Sequence, residues 1–121
     1  MGLCETVAAL HDNIQAAVIV SHGEVKERVI KKVVPVPPAE ALEKLFFTAE
    51  FFVSMTRESD KLFGSTGYVF TNHDTLDTFI FPVKEGVLIV PLFKPYDHED
   101  LAGRILKLVS EHGVPRPDQH G

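Results

Sequence analysis

Hydrophobic periodicity along the chain predicts an α/β (α+β) fold in the order α-β-β-α-β-β-β-α, with helices packed on one mixed sheet of five strands. Three observations lead there. Two β-rich runs bracket Ser21-His22-Gly23-Glu24 in hairpin fashion. A long stretch of helical period begins at Ala39. Three β-like runs separated by polar turns follow Gly64. The 121 residues suit one domain, expected over 1–113. Residues 114–121, from Val114 to Gly121, have no periodic apolar face and are expected to form a flexible tail.

Leu3, Val7 and Leu10 share one helical stripe, so a first helix is expected from Leu3 towards Asn13. Ala16 to Val20 is a short β run. Gly23 can take the positive φ that a tight hairpin needs, and Val25 to Val34 returns as a strand with one polar face, as at a wetter side or an edge. Pro35-Val36-Pro37-Pro38 can continue neither ladder nor helix and reads as a stiff connector. The long helix then runs from Ala39 to about Leu62 and closes at Gly64.

Tyr68 to Thr71, Thr75 to Val83 and Val87 to Phe93 read as three strands. The last is apolar on both faces and so belongs at the centre of the sheet. Pro82 and Pro91 suggest strand ends or bulges. Asp97 is a fitting N-cap for a last helix, whose stripe is Leu101, Ile105, Leu108 and Val109 and which Gly113 stops.

Composition narrows function. Seventeen acidic against twelve basic residues give a net charge of −5, which lacks the electrostatic footprint of a nucleic-acid binder. Lys26, Arg28, Lys31 and Lys32 form the nearest basic strip, read as a solvated strand face or a partner-contacting one. The single cysteine, Cys4, excludes an intrachain disulfide and a multi-cysteine metal site. No apolar run reaches the ~20 residues of a membrane span. The start, Met1-Gly2-Leu3-Cys4-Glu5, has no basic leader, so a cytoplasmic protein is expected. Mean hydropathy is +0.07, apolar for so small a chain, with nine Phe and no Trp.

The long helix accounts for part of that excess. Leu42, Leu45, Phe46, Ala49, Phe52 and Val53 fall on one side, expected to pack on the sheet. Phe47, Phe51 and Met55 fall on the opposite side at i, i+4 and i+8, with Leu62 in line beyond them. A helix lying on a sheet needs one apolar stripe. Either the N- or C-terminal helix of the same chain covers the second stripe, or another subunit does.

Ala16-Ala17-Val18-Ile19-Val20-Ser21-His22-Gly23-Glu24-Val25, the run Phe79-Ile80-Phe81-Pro82-Val83-Lys84-Glu85-Gly86-Val87-Leu88-Ile89-Val90 and a terminal helix through Leu108 resemble, in this element order, the roadblock/LC7 (profilin-like) family. The resemblance covers about residues 3 to 112 and is nearer to an archaeal branch found in ammonia-oxidising archaea. It implies a five-stranded antiparallel sheet and a homodimer whose long helices lie side by side, with the following strand, Tyr68 to Asn72, pairing across the two-fold. The interface residues it implies are Phe47, Phe51, Met55, Leu62, Tyr68 and Phe70. It also implies a non-catalytic platform for small GTPases or motor complexes, without a cofactor. The Pro35–Pro38 connector and the charged second strand depart from the better-known members.

No phosphate-loop, dinucleotide-binding, HExxH, CxxC or GxSxG motif occurs, so no catalytic, cofactor-binding or metal-binding residue is assigned and no enzyme is expected. His73-Asp74 reads as turn chemistry, and Asp97-His98-Glu99-Asp100 as helix capping rather than a metal cluster. His11 and His112 are placed at helix ends near carbonyls. Arg57, among Ser54, Thr56, Glu58 and Asp60, is read as a solvated helix end before an anion pocket. The second functional reading is a small-molecule-sensing domain of PAS or GAF type, with Tyr68, Phe70, Phe79, Phe81 and Tyr96 lining a cavity.

Overall fold

A computed structural model of the chain describes residues 2–31 and 38–113. The elements are α1 (Leu3–Ala8), β1 (Ala16–Ser21), β2 (Glu24–Ile30), α2 (Ala39–Arg57), α3 (Asp60–Phe63), β3 (Val69–Asn72), β4 (Leu76–Val83), β5 (Gly86–Phe93) and α4 (His98–His112). The strands form one sheet in the order β2-β1-β5-β4-β3, every neighbouring pair antiparallel. The sheet is therefore not mixed. The doubly apolar run, β5, is central, and the charged strand β2 is an edge. Pro35 to Pro37 of the connector, the end of the second strand beyond Lys31 and the tail from Val114 lie outside the described residues.

The β1–β2 connection is a two-residue turn with His22 at φ 52° and Gly23 at φ 79°. Two left-handed central residues match the twist of the strands they join. Pro82 and Pro91 lie inside β4 and β5, not at their ends. Ladder alternation explains why both are tolerated. Pro91 turns its missing N–H toward β1 just where that ladder ends: its carbonyl accepts Gln15 N–H at 2.9 Å, while the Gln15 carbonyl takes Lys31 N–H at 2.9 Å instead. By the same alternation Pro82 faces the β3 side beyond Val69↔Ile80, where β3 has not begun.

Two helices are shorter than their periodicities suggest. α1 stops at Ala8, and the Lys31 ammonium donates to the Ala8 and His11 carbonyls at 2.8 Å each. The long helix breaks after Arg57: Glu58 N–H reaches the Met55 carbonyl and Ser59 N–H that of Thr56, a tighter spacing than the α ladder. Asp60 then accepts the Thr66 hydroxyl at 2.6 Å and starts α3. Asp97 caps α4 as its position suggests, its Oδ1 accepting Asp100 N–H at 3.0 Å.

The sheet separates two apolar clusters. On one face α1 and α4 press Cys4, Val7, Leu101 and Ile105 onto Phe79, Phe81, Leu88 and Val90. On the other, among the described residues, α2 contributes Ala49 and Val53 against Val18, Val20, Ile80 and Val87. Period-2 alternation sorts each strand's residues between these faces.

Candidate functional site: an uncovered helix face and the groove beneath it

α1 and α4 both lie across the sheet from α2, so neither terminal helix covers the second stripe of α2. Phe47, Phe51 and Met55 stand 63%, 61% and 49% exposed. The first stripe is also only partly used. Ala49 and Val53 are buried, but Leu45 and Phe52, expected against the sheet, are exposed at 55% and 39%. Periodicity places a side chain on a helix face; it does not say how far the sheet extends under that face.

Phe47 is seated over the β1–β2 turn, where a Cβ on Gly23 would lie 3.2 Å from its ring. Next to it, the Glu50 carboxylate accepts N–H from His22 at 2.8 Å and from Gly23 at 2.7 Å. The hairpin tip thus pins the middle of α2, near Ala49 and Val53. Beneath the first half of the helix the described residues leave the sheet open. A groove of about 540 Å³ lies there, with Leu42, Leu45 and Phe46 as its roof and Ile80, Ile89 and Phe93 on its floor. Every strand contributes to its lining, from Arg28 and Ile30 on β2 to Thr71 on β3.

The remaining interface residues are placed differently. Leu62 is exposed on α3, beyond the break, rather than on α2; its neighbour Phe63 is 84% exposed. Tyr68 and Phe70 are half-buried on the α4 side, packed on Phe79 at ring separations of 5.4 and 5.0 Å. Phe70 lies on β3, an outer edge of the sheet, and Tyr68 just before it, but their rings do not join the α2 surface. The space expected to form a sensor's aromatic cavity is filled: Phe79 and Phe81 are fully buried and stack on one another at 5.8 Å. The His98 ring packs into the same cluster, 4.6 Å from Phe70 and 5.0 Å from Phe79, with its Nε2 3.1 Å from the Tyr68 hydroxyl.

Other singled-out polar groups are tied into the fold. Arg57 Nε lies 3.7 Å from Asp60. His112 pairs with Glu85 at 2.9 Å, and His11 Nδ1 accepts Asn13 N–H. The basic strip is divided: Lys26 pairs with Glu24, Lys31 holds the end of α1, and Arg28 reaches the groove on the opposite face. Sequence reasoning passed over Asp77, a buried acid in β4. It accepts Tyr96 O–H at 2.6 Å, Asn72 Nδ2 at 2.7 Å and the Lys94 ammonium at 3.0 Å. Burial pushes its pKa up, but these donors outweigh burial and hold it at about 2. Burial, then the Asp77 bond and charge, push the Tyr96 phenol up. The legible signal was a lone acid on the face shared by Phe79, Phe81 and Val83.

No protein-family model and no curated protein sequence matches the chain. Solved structures do. A roadblock/LC7 domain from Streptomyces avermitilis superposes with a TM-score of 0.69 at 18% identity, covering 90% of each chain. The gliding protein mglB from Thermus thermophilus gives 0.62 at 12% identity, covering 90% of this chain and 87% of that one. MglC from Myxococcus xanthus gives 0.56 at 14% identity, with 90% and 95% covered. The chain has the roadblock/LC7 fold.

Proposed function

We propose that this chain is a non-catalytic interaction module, one domain over 1–113, that forms a homodimer through α2 and the β3 edge and offers the assembly to a protein partner. The observation that carries this reading is the exposed arc of Phe47, Phe51 and Met55, which no helix of the described chain covers. Aromatic residues and Met are enriched in interface cores, and a two-fold would bury the arc against its own copy. β3 adds an outer edge strand for pairing across that axis, by its backbone rather than by the inward rings of Tyr68 and Phe70. The fold supports the reading, and a neighbour described as "MglB with tetrameric arrangement" matches at a TM-score of 0.63 and 13% identity.

A small GTPase as the partner and an archaeal branch rest on the resemblance of the quoted segments, and a cytoplasmic location on the single cysteine. Light scattering on a size-exclusion column tests the assembly. Wild type elutes as a dimer and Phe51→Glu as a folded monomer. A monomeric wild type, or a dimeric Phe51→Glu, removes the interface. Affinity purification from the native organism tests the partner, and recovery of no GTPase removes that part alone.

A further inference from the structure

We propose that the groove beneath the first half of α2 binds a long-chain carboxylate, with its alkyl chain lying across the sheet and its head group at Arg28. The volume of about 540 Å³ lies within the range of small-molecule sites. All five strands line the groove, and four inter-strand steps of ~4.8 Å give it a length of about 19 Å. That span accommodates one extended alkyl chain. Roof and floor are apolar through Leu42, Phe46, Ile80, Ile89 and Phe93. The polar members are threonines, Gln15, His73 and Arg28.

Charge decides the class of ligand. The chain carries 17 acidic residues, yet among the described residues no Asp or Glu lines this groove. Among the described residues that line it, the one fixed charge is Arg28 on the edge strand β2. Among the described residues Arg28 enters no ion pair. A guanidinium on the edge-strand side of an apolar groove suits a carboxylate, which it can bind through two parallel hydrogen bonds while its stem lies along the apolar wall. Phe47, Phe51 and Met55 do not line the groove, although α2 and β3 both border it.

The probe is cis-parinaric acid, a fluorescent 18-carbon carboxylate, titrated into the full chain with palmitate and hexadecanol as competitors. Expected is saturable uptake of one molecule per chain, displaced by palmitate about tenfold better than by hexadecanol. Arg28→Gln, at an exposed position, should weaken uptake about tenfold and remove the preference for the acid. Thr48→Trp, exposed on the groove wall, should block uptake with the circular dichroism spectrum unchanged. Phe51→Glu should bind as wild type does, whatever its oligomeric state. Absent or non-saturable uptake overturns the proposal, as does equal affinity in wild type and Arg28→Gln. Uptake by Phe51→Glu but not by wild type also overturns it, by making a second copy the natural occupant. Loss of uptake in Phe51→Glu does so by moving the ligand to the outer face.

Discussion

Gly23 donates its backbone N–H to Glu50 Oε1 at 2.7 Å, joining the tip of the first hairpin to the middle of α2. The other oxygen takes His22 N–H at 2.8 Å, so one carboxylate satisfies both amides of a turn that has no strand partner for them. Glu50→Ala should cost about 1–2 kcal/mol, read as a lower urea midpoint at unchanged m-value. Gly23→Ala should cost a similar ~1–2 kcal/mol, because φ is +79° and the new methyl meets the Phe47 ring.

Asp77 makes acid stability pH-dependent in a defined window. Its carboxyl is held at about 2, below the ordinary 3.8, despite burial, by Tyr96, Lys94 and Asn72. A depressed carboxylate contributes stability that is complete above the unfolded value and is lost as pH falls through the folded one. The urea midpoint of wild type should therefore drop between pH 4 and pH 2, and that limb should flatten in Asp77→Asn. Asp77→Ala, which strands the Tyr96 hydroxyl and the Lys94 ammonium, should cost about 2–3 kcal/mol at pH 7.

Cys4, on α1, is fully buried against the sheet. Burial, followed by the Glu27 charge and its hydrogen bond, pushes its thiol to about 12. Thiol labelling with a disulfide reagent at pH 8 should be at least about 100-fold slower in the native chain than in urea. A rate equal to that of a free thiol would mean that α1 detaches from the sheet in solution.

Gly86 begins β5 where the strand passes against the backbone of β1. A Cβ there would collide with the Val20 carbonyl oxygen and crowd the Ser21 Cα, both main-chain atoms that no rotamer change can move. Gly86→Ala should cost about 2–3 kcal/mol by thermal or chemical denaturation, although alanine is the smallest side chain to add.

Much of the fold was legible because its signals are local. The apolar run Val87 to Phe93 announced a strand buried on both faces, and β5 is central. Ser21-His22-Gly23-Glu24 announced a tight turn, and Asp97 a cap. The break at Glu58 was not legible, since it depends on Asp60 bonding to Thr66 across the following loop. Asp77 was missed for a similar reason: two of its three donors, Lys94 and Tyr96, come from beyond the next strand.

That Phe47, Phe51 and Met55 form one helical stripe follows from the sequence, because a period of ~3.6 residues needs nothing but the chain next to it. That the stripe stays uncovered follows only from how the elements pack. α1 and α4 both went to the face that holds Phe79 and Phe81, while α2 was tied at its middle by Glu50 and Gly23. That distribution also exposed Leu45 and Phe52 and opened the groove over Ile80 and Ile89. A local period fixes the direction in which a side chain points around its own axis; what it meets there depends on contacts between segments far apart in the chain.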